Sequence, residues 1–239
     1  MVKKIRFFRP ILAGAEAKDR ALTCAGAIAG ITLVALGGIL VEGPVDVEAW
    51  IFAPVGASAV LIFAVPASPL TQPWPVIGGL VFSAATGILV GGITGSGPIA
   101  AGLAVGLAIG VMSLTRTLHP PGGAAAITGA LAATAGFSTE VFLSLIVVSF
   151  DAIAIVLLGW AFHRLFSGHS YPHLVAAVAP EVPSGPVRFG PGDVDAVLAR
   201  MHETFDISRN DLEAILRAVE EEALHRELEA MEQTPASQI

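Results

Sequence analysis

Between Leu114 and Ala126 an arginine, threonines and a histidine stand directly ahead of a Pro-Pro-Gly-Gly break: Thr115-Arg116-Thr117-Leu118-His119-Pro120-Pro121-Gly122-Gly123. Arg116 is the single arginine between Arg20 and Arg164, and long apolar runs flank it on both sides. A helix opened by proline and glycine presents unpaired backbone N–H groups and the positive end of its dipole, which favour an anion. Glycines at that opening let a ligand approach the backbone closely. A second stretch of the same character is Pro54-Val55-Gly56-Ala57-Ser58. The expected substrate-binding residues are therefore Pro54, Gly56, Ala57 and Ser58 in one half, and Arg116, Thr117, His119, Gly122 and Gly123 in the other. Their shared chemistry suits a small anion.

Asp151 falls near the middle of a long apolar run, where an acid is costly unless paired, neutralised or facing water. It is the candidate for proton coupling, with a protonated hydrogen-bond donor or a partner for Arg116 as its structural roles. Arg116 equally suits an anchor whose stem snorkels from a helix end, and His119 suits a cap for the turn before Pro120. Trp50, Trp74 and Trp160 read as interface anchors. His163, His169 and His173 have no cysteine or acid cluster beside them, so no metal site is expected. The Gly95-Ser96-Gly97 stretch follows an apolar helix rather than a strand and carries no dinucleotide signal. No nucleophile–base pair stands out, so neither enzymatic activity nor a cofactor is expected.

These residues need elements to hold them, and composition says what kind. Of 239 residues 54% are hydrophobic and 14% charged, with 26 glycines and a mean hydropathy of +0.75, which places the chain among membrane proteins. The net charge of −7 is an average over two unlike parts, since the acidity lies in the tail beyond residue 164. Cys24 lies in the first apolar run and is expected to be buried there.

The first run, Ala21 to Val41, has bilayer-spanning length and no cleavage signature, so it reads as a retained helix. Lys3, Lys4, Arg6, Arg9, Lys18 and Arg20 precede it, whereas Glu42, Asp46 and Glu48 follow it. That asymmetry puts the N-terminus in the cytoplasm. A short helix is expected from Pro54 to about Val65, because proline suits a first turn. Further helices are expected over Val76–Ile93, Ile99–Leu114, Pro120 or Pro121 to Ala135, and Val141–Phe162. Gly102, Gly106 and Gly110, four apart, predict a close helix contact. Long, short, long, then the same again is the pattern of a 3+3 inverted repeat. The expected fold is thus an all-α membrane protein with six transmembrane elements, two of them short Pro/Gly-started helices. Both termini and Arg164 would lie in the cytoplasm.

Leu118-His119-Pro120-Pro121-Gly122-Gly123-Ala124, together with Gly56-Ala57-Ser58-Ala59-Val60-Leu61, Ala67-Ser68-Pro69-Leu70-Thr71-Gln72-Pro73 and Val76-Ile77-Gly78-Gly79, resembles the HPP family of integral membrane proteins. The resemblance covers roughly residues 10 to 175. It implies a multi-helix membrane protein of a bacterial inner membrane or a plastid, from a family associated with nitrite transport. Pro75 and Leu80 depart from it: relatives often carry Asn and His there, which bears on ion selectivity.

The domains read as 1–166, the transmembrane HPP domain; 167–191, a proline-rich linker; and 192–239, an acidic cytoplasmic helical hairpin and tail. Two amphipathic helices are expected there, from Asp193 to Phe205 and from Ser208 to about Met231, the second opened by a capping box. So small a hairpin has little core and is expected to pack across a homodimer or on the cytoplasmic loops. Partners are then a small inorganic anion and the lipid bilayer, with no nucleic acid. Transport of that anion, nitrite first, is the leading function. The alternative is a membrane-anchored regulatory or interaction protein acting through the acidic hairpin.

Overall fold

The computed structural model describes residues 12–13, 17–42, 53–95, 97–133, 136–173, 190, 192–201 and 205–233. The expectations placed on Lys3, Lys4, Arg6, Arg9, Asp46, Glu48, Trp50 and linker positions 174 to 189 lie outside the described residues. Every named element among the described residues is helical: α1 (Ala17–Glu42), α2 (Ala53–Ala64), α3 (Pro73–Thr94), α4 (Pro98–Thr115), α5 (Pro121–Ala132), α6 (Thr139–Phe162), α7 (Asp193–Met201) and α8 (Arg209–Gln233). A 3-10 turn at Pro69–Thr71 precedes α3, and a π-helical turn at His163–Ser167 extends α6. Prolines sit in the first turn of α2, α3, α4 and α5, where the absent N–H costs nothing.

Four helical spans are long and apolar enough to cross a bilayer: Asp19–Leu40, Pro73–Thr94, Pro98–Thr115 and Thr139–Ser167. α2 and α5 have 12 residues each, about 18 Å of helix against a hydrocarbon core of about 30 Å. By length and composition together, the described residues therefore hold four membrane-length apolar helices, with α2 and α5 about half that length.

The chain divides into two compact units, Ala17–Leu174 and Met1–Glu16 with Val175–Ile239. The first of these units holds α1 to α6, the second α7 and α8. In the second the Ala13 amide donates to the Ile207 carbonyl at 2.9 Å and the Phe205 amide to the Ala13 carbonyl at 3.0 Å. Ala13 completes a small core with Val194 and Leu198, against which Phe205, Ile207, Leu212 and Leu216 pack. Val197 and Met201 of α7 are exposed. Ser208 caps the start of α8, its hydroxyl accepting from the Asp211 amide at 3.1 Å and donating to the Asp211 carboxylate at 2.6 Å.

In the larger unit, α3 and α5 pack backbone to backbone. A methyl group on Gly87 would overlap the Ala126 carbonyl, one on Gly91 the Ala130 carbonyl, and one on Gly129 the Ala84 carbonyl. The contact predicted for Gly102, Gly106 and Gly110 is not made among the described residues: none of them lies within 4 Å of where these side chains would be. α4 buries the neighbouring stripe instead, Ala100, Ala104, Ala108 and Met112. Both stripes have spacing four, and the alanines carry more apolar area to bury. Cys24 is exposed rather than buried, because α1 turns Gly26 and Gly30 inward against the Phe63 ring.

How a half-length helix ends inside this unit is answered by its last four carbonyls. The Val65 amide donates to Leu61 O at 2.9 Å, His163 Nε2 to Ile62 O at 2.9 Å, Thr23 Oγ1 to Phe63 O at 3.0 Å and Arg20 Nη1 to Ala64 O at 3.3 Å. Helix ends leave these groups open, and hydrocarbon offers them no partner. Arg20 also brings a positive charge to the negative end of the α2 dipole.

Candidate functional site

α4 stops because Arg116 turns into the left-handed region at φ 57°, the one positive-φ non-glycine position among the described residues. This reversal sends the chain back inward: the Thr117 amide donates to Met112 O at 2.8 Å, and the Thr115 and Thr117 hydroxyls pair at 2.7 Å. The segment from Thr117 to His119 then lies on α3. A side chain at Gly78 would overlap Thr117, and one at Gly79 would lie 2.6 Å from His119 Cβ. The two glycines of Val76-Ile77-Gly78-Gly79 are the bed for this segment.

His119, fully buried, joins stretches far apart in the sequence. Its Nδ1 donates to the Leu70 carbonyl at 2.8 Å, and its Nε2 lies 2.8 Å from Ser58 Oγ, across 61 residues of sequence. Ser58 Oγ also lies 3.0 Å from the Pro54 carbonyl, in donating geometry. Leu70 is held in place by its own loop, where Thr71 Oγ1 donates to Ser68 O at 2.7 Å and Gln72 Nε2 to Ser68 O at 2.8 Å. Gln72 Oε1 accepts from the His173 amide at 2.8 Å. Tyr171 Oη donates to Thr71 O at 3.0 Å, and burial raises its phenol pKa, so it keeps its proton. All four stretches that carry the family resemblance therefore meet around this imidazole and its partners.

Pro54, Ser58, Thr117, His119 and Gly122 are buried, and Ser58 and His119 touch directly. Arg116 and Ala57 are exposed, Gly56 has open space around it, and Gly123 has Val105 Cγ1 as its nearest neighbour at 3.9 Å. Asp151 is buried on α6 whereas Arg116 is exposed at the end of α4. The Gly122 and Gly123 amides, expected to face a ligand, donate within their own turn to His119 O at 2.8 Å and Pro120 O at 3.1 Å. Gly122 is small because α3 and α4 leave no room: a methyl there would lie 2.7 Å from both Ser83 Oγ and Met112 Sδ.

Sequence reasoning missed Ser83, whose fully buried hydroxyl has no hydrogen-bond partner among the described residues. It missed Leu70, which acts through a backbone carbonyl and leaves no side-chain signature. His163 was read only as a rejected metal ligand, but both its nitrogens are used, Nδ1 with Ser167 Oγ at 2.6 Å and Nε2 with Ile62 O. A 12-residue helix ending inside an apolar unit was the signal that could have found it. Trp74 and Trp160 are exposed as anchors would be, and Trp74 Nε1 also donates to Thr115 O at 3.1 Å.

The HPP transmembrane region matches residues 13–172 of the chain. Two transmembrane proteins of Dictyostelium discoideum are 45% and 44% identical to it over 75 residues. Those stretches are 30% of this chain and 26% and 24% of the relatives, so the chain matches about a quarter of their length. No solved structure matches. With the match running from α1 through α6 and across the Ser58–His119 junction, and with membrane-length helices within it, the chain is an integral membrane protein belonging to the HPP transmembrane family.

Proposed function

We propose that the chain carries a small inorganic anion across the membrane, nitrite being the substrate to test first. The observation that carries this reading is the Ser58–His119 hydrogen bond, which brings α2 and the start of α5 together in the interior. Thr117 and Ser83 add buried hydroxyls nearby, Thr117 on the His119 segment and Ser83 against Gly122. Polar groups buried in a membrane protein are costly and concentrate along substrate paths. The helix lengths support two inverted halves, 26, 12 and 22 residues followed by 18, 12 and 24. In that arrangement the substrate lies between the halves, at half-length helices whose N-termini favour an anion. Residence in a bacterial inner membrane with both termini in the cytoplasm belongs to the same proposal, as does a transporter rather than an enzymatic role.

The test is flux of nitrite, nitrate, formate and chloride into vesicles holding the purified protein, measured against protein-free vesicles. Flux of at least one anion above that background is expected, and no flux for any of them overturns the proposal. A second reading, a membrane-anchored interaction protein, is favoured by the exposed apolar side chains Val197, Met201, Ile215, Val219 and Leu224 on α7 and α8. Deleting residues 190–239 separates the two, because a transporter keeps flux while an anchor loses its partner.

A further inference from the structure

Hydrogen bookkeeping at the Ser58–His119 junction leads to a second transported species. Leu70 O is a carbonyl and only accepts, so His119 Nδ1 carries a hydrogen. With a neutral ring, Nε2 is an acceptor. Ser58 then faces two acceptors, Nε2 at 2.8 Å and Pro54 O at 3.0 Å, with one hydroxyl hydrogen. With a protonated ring both contacts carry a hydrogen at once: Nε2–H donates to Ser58 Oγ, and Ser58 O–H donates to Pro54 O. The heavy atoms already stand where the charged imidazole needs them.

We propose that His119 is a proton-binding site and that this protein carries its anion together with a proton. The inference rests on the anion-transport reading. On loading, a proton adds to the Nε2 lone pair, the Ser58 hydroxyl turns from Nε2 to Pro54 O, and no covalent bond breaks. On release the same steps reverse.

Surroundings decide why proton and anion travel together. From residue 53 to residue 138, covering α2 to α5 and the 66–72 loop, the chain has no titratable side chain other than Arg116 and His119. Arg116 is exposed. α6, which packs on α2 and α3, contributes buried Asp151 and, at its ends, Glu140 and His163. α1 carries Lys18, Asp19 and Arg20 at its start and Glu42 at its end, and Arg20 is turned to the Ala64 carbonyl. No acid is placed on the elements that touch His119, so a proton there creates a buried charge that needs a counter-ion. A bound anion supplies it, and by linkage the proton strengthens anion binding by the same factor. Asp151, the proton carrier expected from the sequence, is not needed for this.

The experiment loads vesicles with the full-length protein and a lumenal pH dye, sets the membrane potential with potassium and valinomycin, and adds nitrite. Protein-free vesicles measure leakage of nitrous acid. Above that leak, wild-type uptake is expected to acidify the lumen, to follow the proton gradient and to ignore the potential. His119→Gln is expected to lose the acidification and the dependence on the proton gradient. Ser58→Ala, which removes the acceptor for Nε2–H, is expected to shift half-maximal uptake to lower pH by roughly one unit, tenfold in proton affinity. Nitrite uptake that follows the potential and ignores the proton gradient overturns the coupling and leaves anion transport standing. Coupling unchanged in His119→Gln overturns the assignment to this residue, and absence of flux for every anion overturns both readings.

Discussion

Gly87 of α3 and Ala126 of α5 are in backbone contact, with the Ala126 carbonyl occupying the place where a side chain on Gly87 would begin. Gly91 and Ala130 repeat the arrangement one turn on. Gly87→Ala or Gly91→Ala therefore forces the two helices apart, at a cost of about 1–3 kcal/mol. Gly106→Ala on the open face of α4 is expected to be neutral or slightly stabilising, since alanine is the better helix former. Thermal unfolding in detergent, followed by tryptophan fluorescence, ranks the variants. An α4 substitution that destabilises more than the α3 ones would contradict this packing.

His163→Ala strips the donor from the Ile62 carbonyl and leaves a buried acceptor open, an expected loss of about 1–3 kcal/mol. His163→Gln, whose amide supplies a donor, is expected to recover part of it. Equal melting temperatures for the alanine and glutamine variants would show that the capping bond contributes nothing.

Arg116 holds a left-handed conformation at φ 57°, which glycine adopts without strain, so Arg116→Gly is expected to gain up to about 1 kcal/mol. The same variant separates the two roles of this side chain. A stable protein with unchanged anion flux identifies a helix-end anchor, whereas flux reduced about tenfold or more, in a protein as stable as wild type, identifies an anion contact.

In the C-terminal unit, hydrogen bonds from Arg209 hold the Asp195 carboxyl below its usual range. The pair is exposed, with Arg209 Nε 2.6 Å from Asp195 Oδ1. A depressed carboxylate stabilises the fold above its unfolded pKa and loses that contribution as pH falls through the folded value. A carboxyl carbon titration by NMR is expected to place Asp195 below an ordinary aspartate in the wild type and to return it to the ordinary value in Arg209→Met. High salt narrows the difference.

Helix positions were legible because prolines 54 and 121 sit in first turns and the apolar runs are long, but α3 and α4 open at Pro73 and Pro98, ahead of the expected Val76 and Ile99. Helix faces were not. The Gly102, Gly106 and Gly110 stripe and the Gly87–Gly91 pair have the same spacing, and only the partner helix decides which is covered. Ser58 and His119 could be singled out as polar residues beside breaks, but their bond spans 61 residues and nothing local announces it. Arg116 was placed at the right boundary, yet its outward direction follows from a single backbone angle. The joining of Ala13 to Phe205 and Ile207 is equally non-local, and nothing beside Ala13 in the sequence announces it.

The way α2 ends bears on how the protein is made. Arg20 and Thr23 belong to α1 and are at hand when α2 leaves the ribosome, but His163 is synthesised 101 residues after Ile62. Until then a helix too short to cross the bilayer carries a carbonyl that lipid cannot satisfy. α2 must wait, held against α1 or within the insertion machinery, and its end is completed only when α6 and His163 arrive. Insertion of this chain is therefore not a left-to-right series of completed helices, and chains truncated before His163 are expected to be recognised and degraded as unassembled.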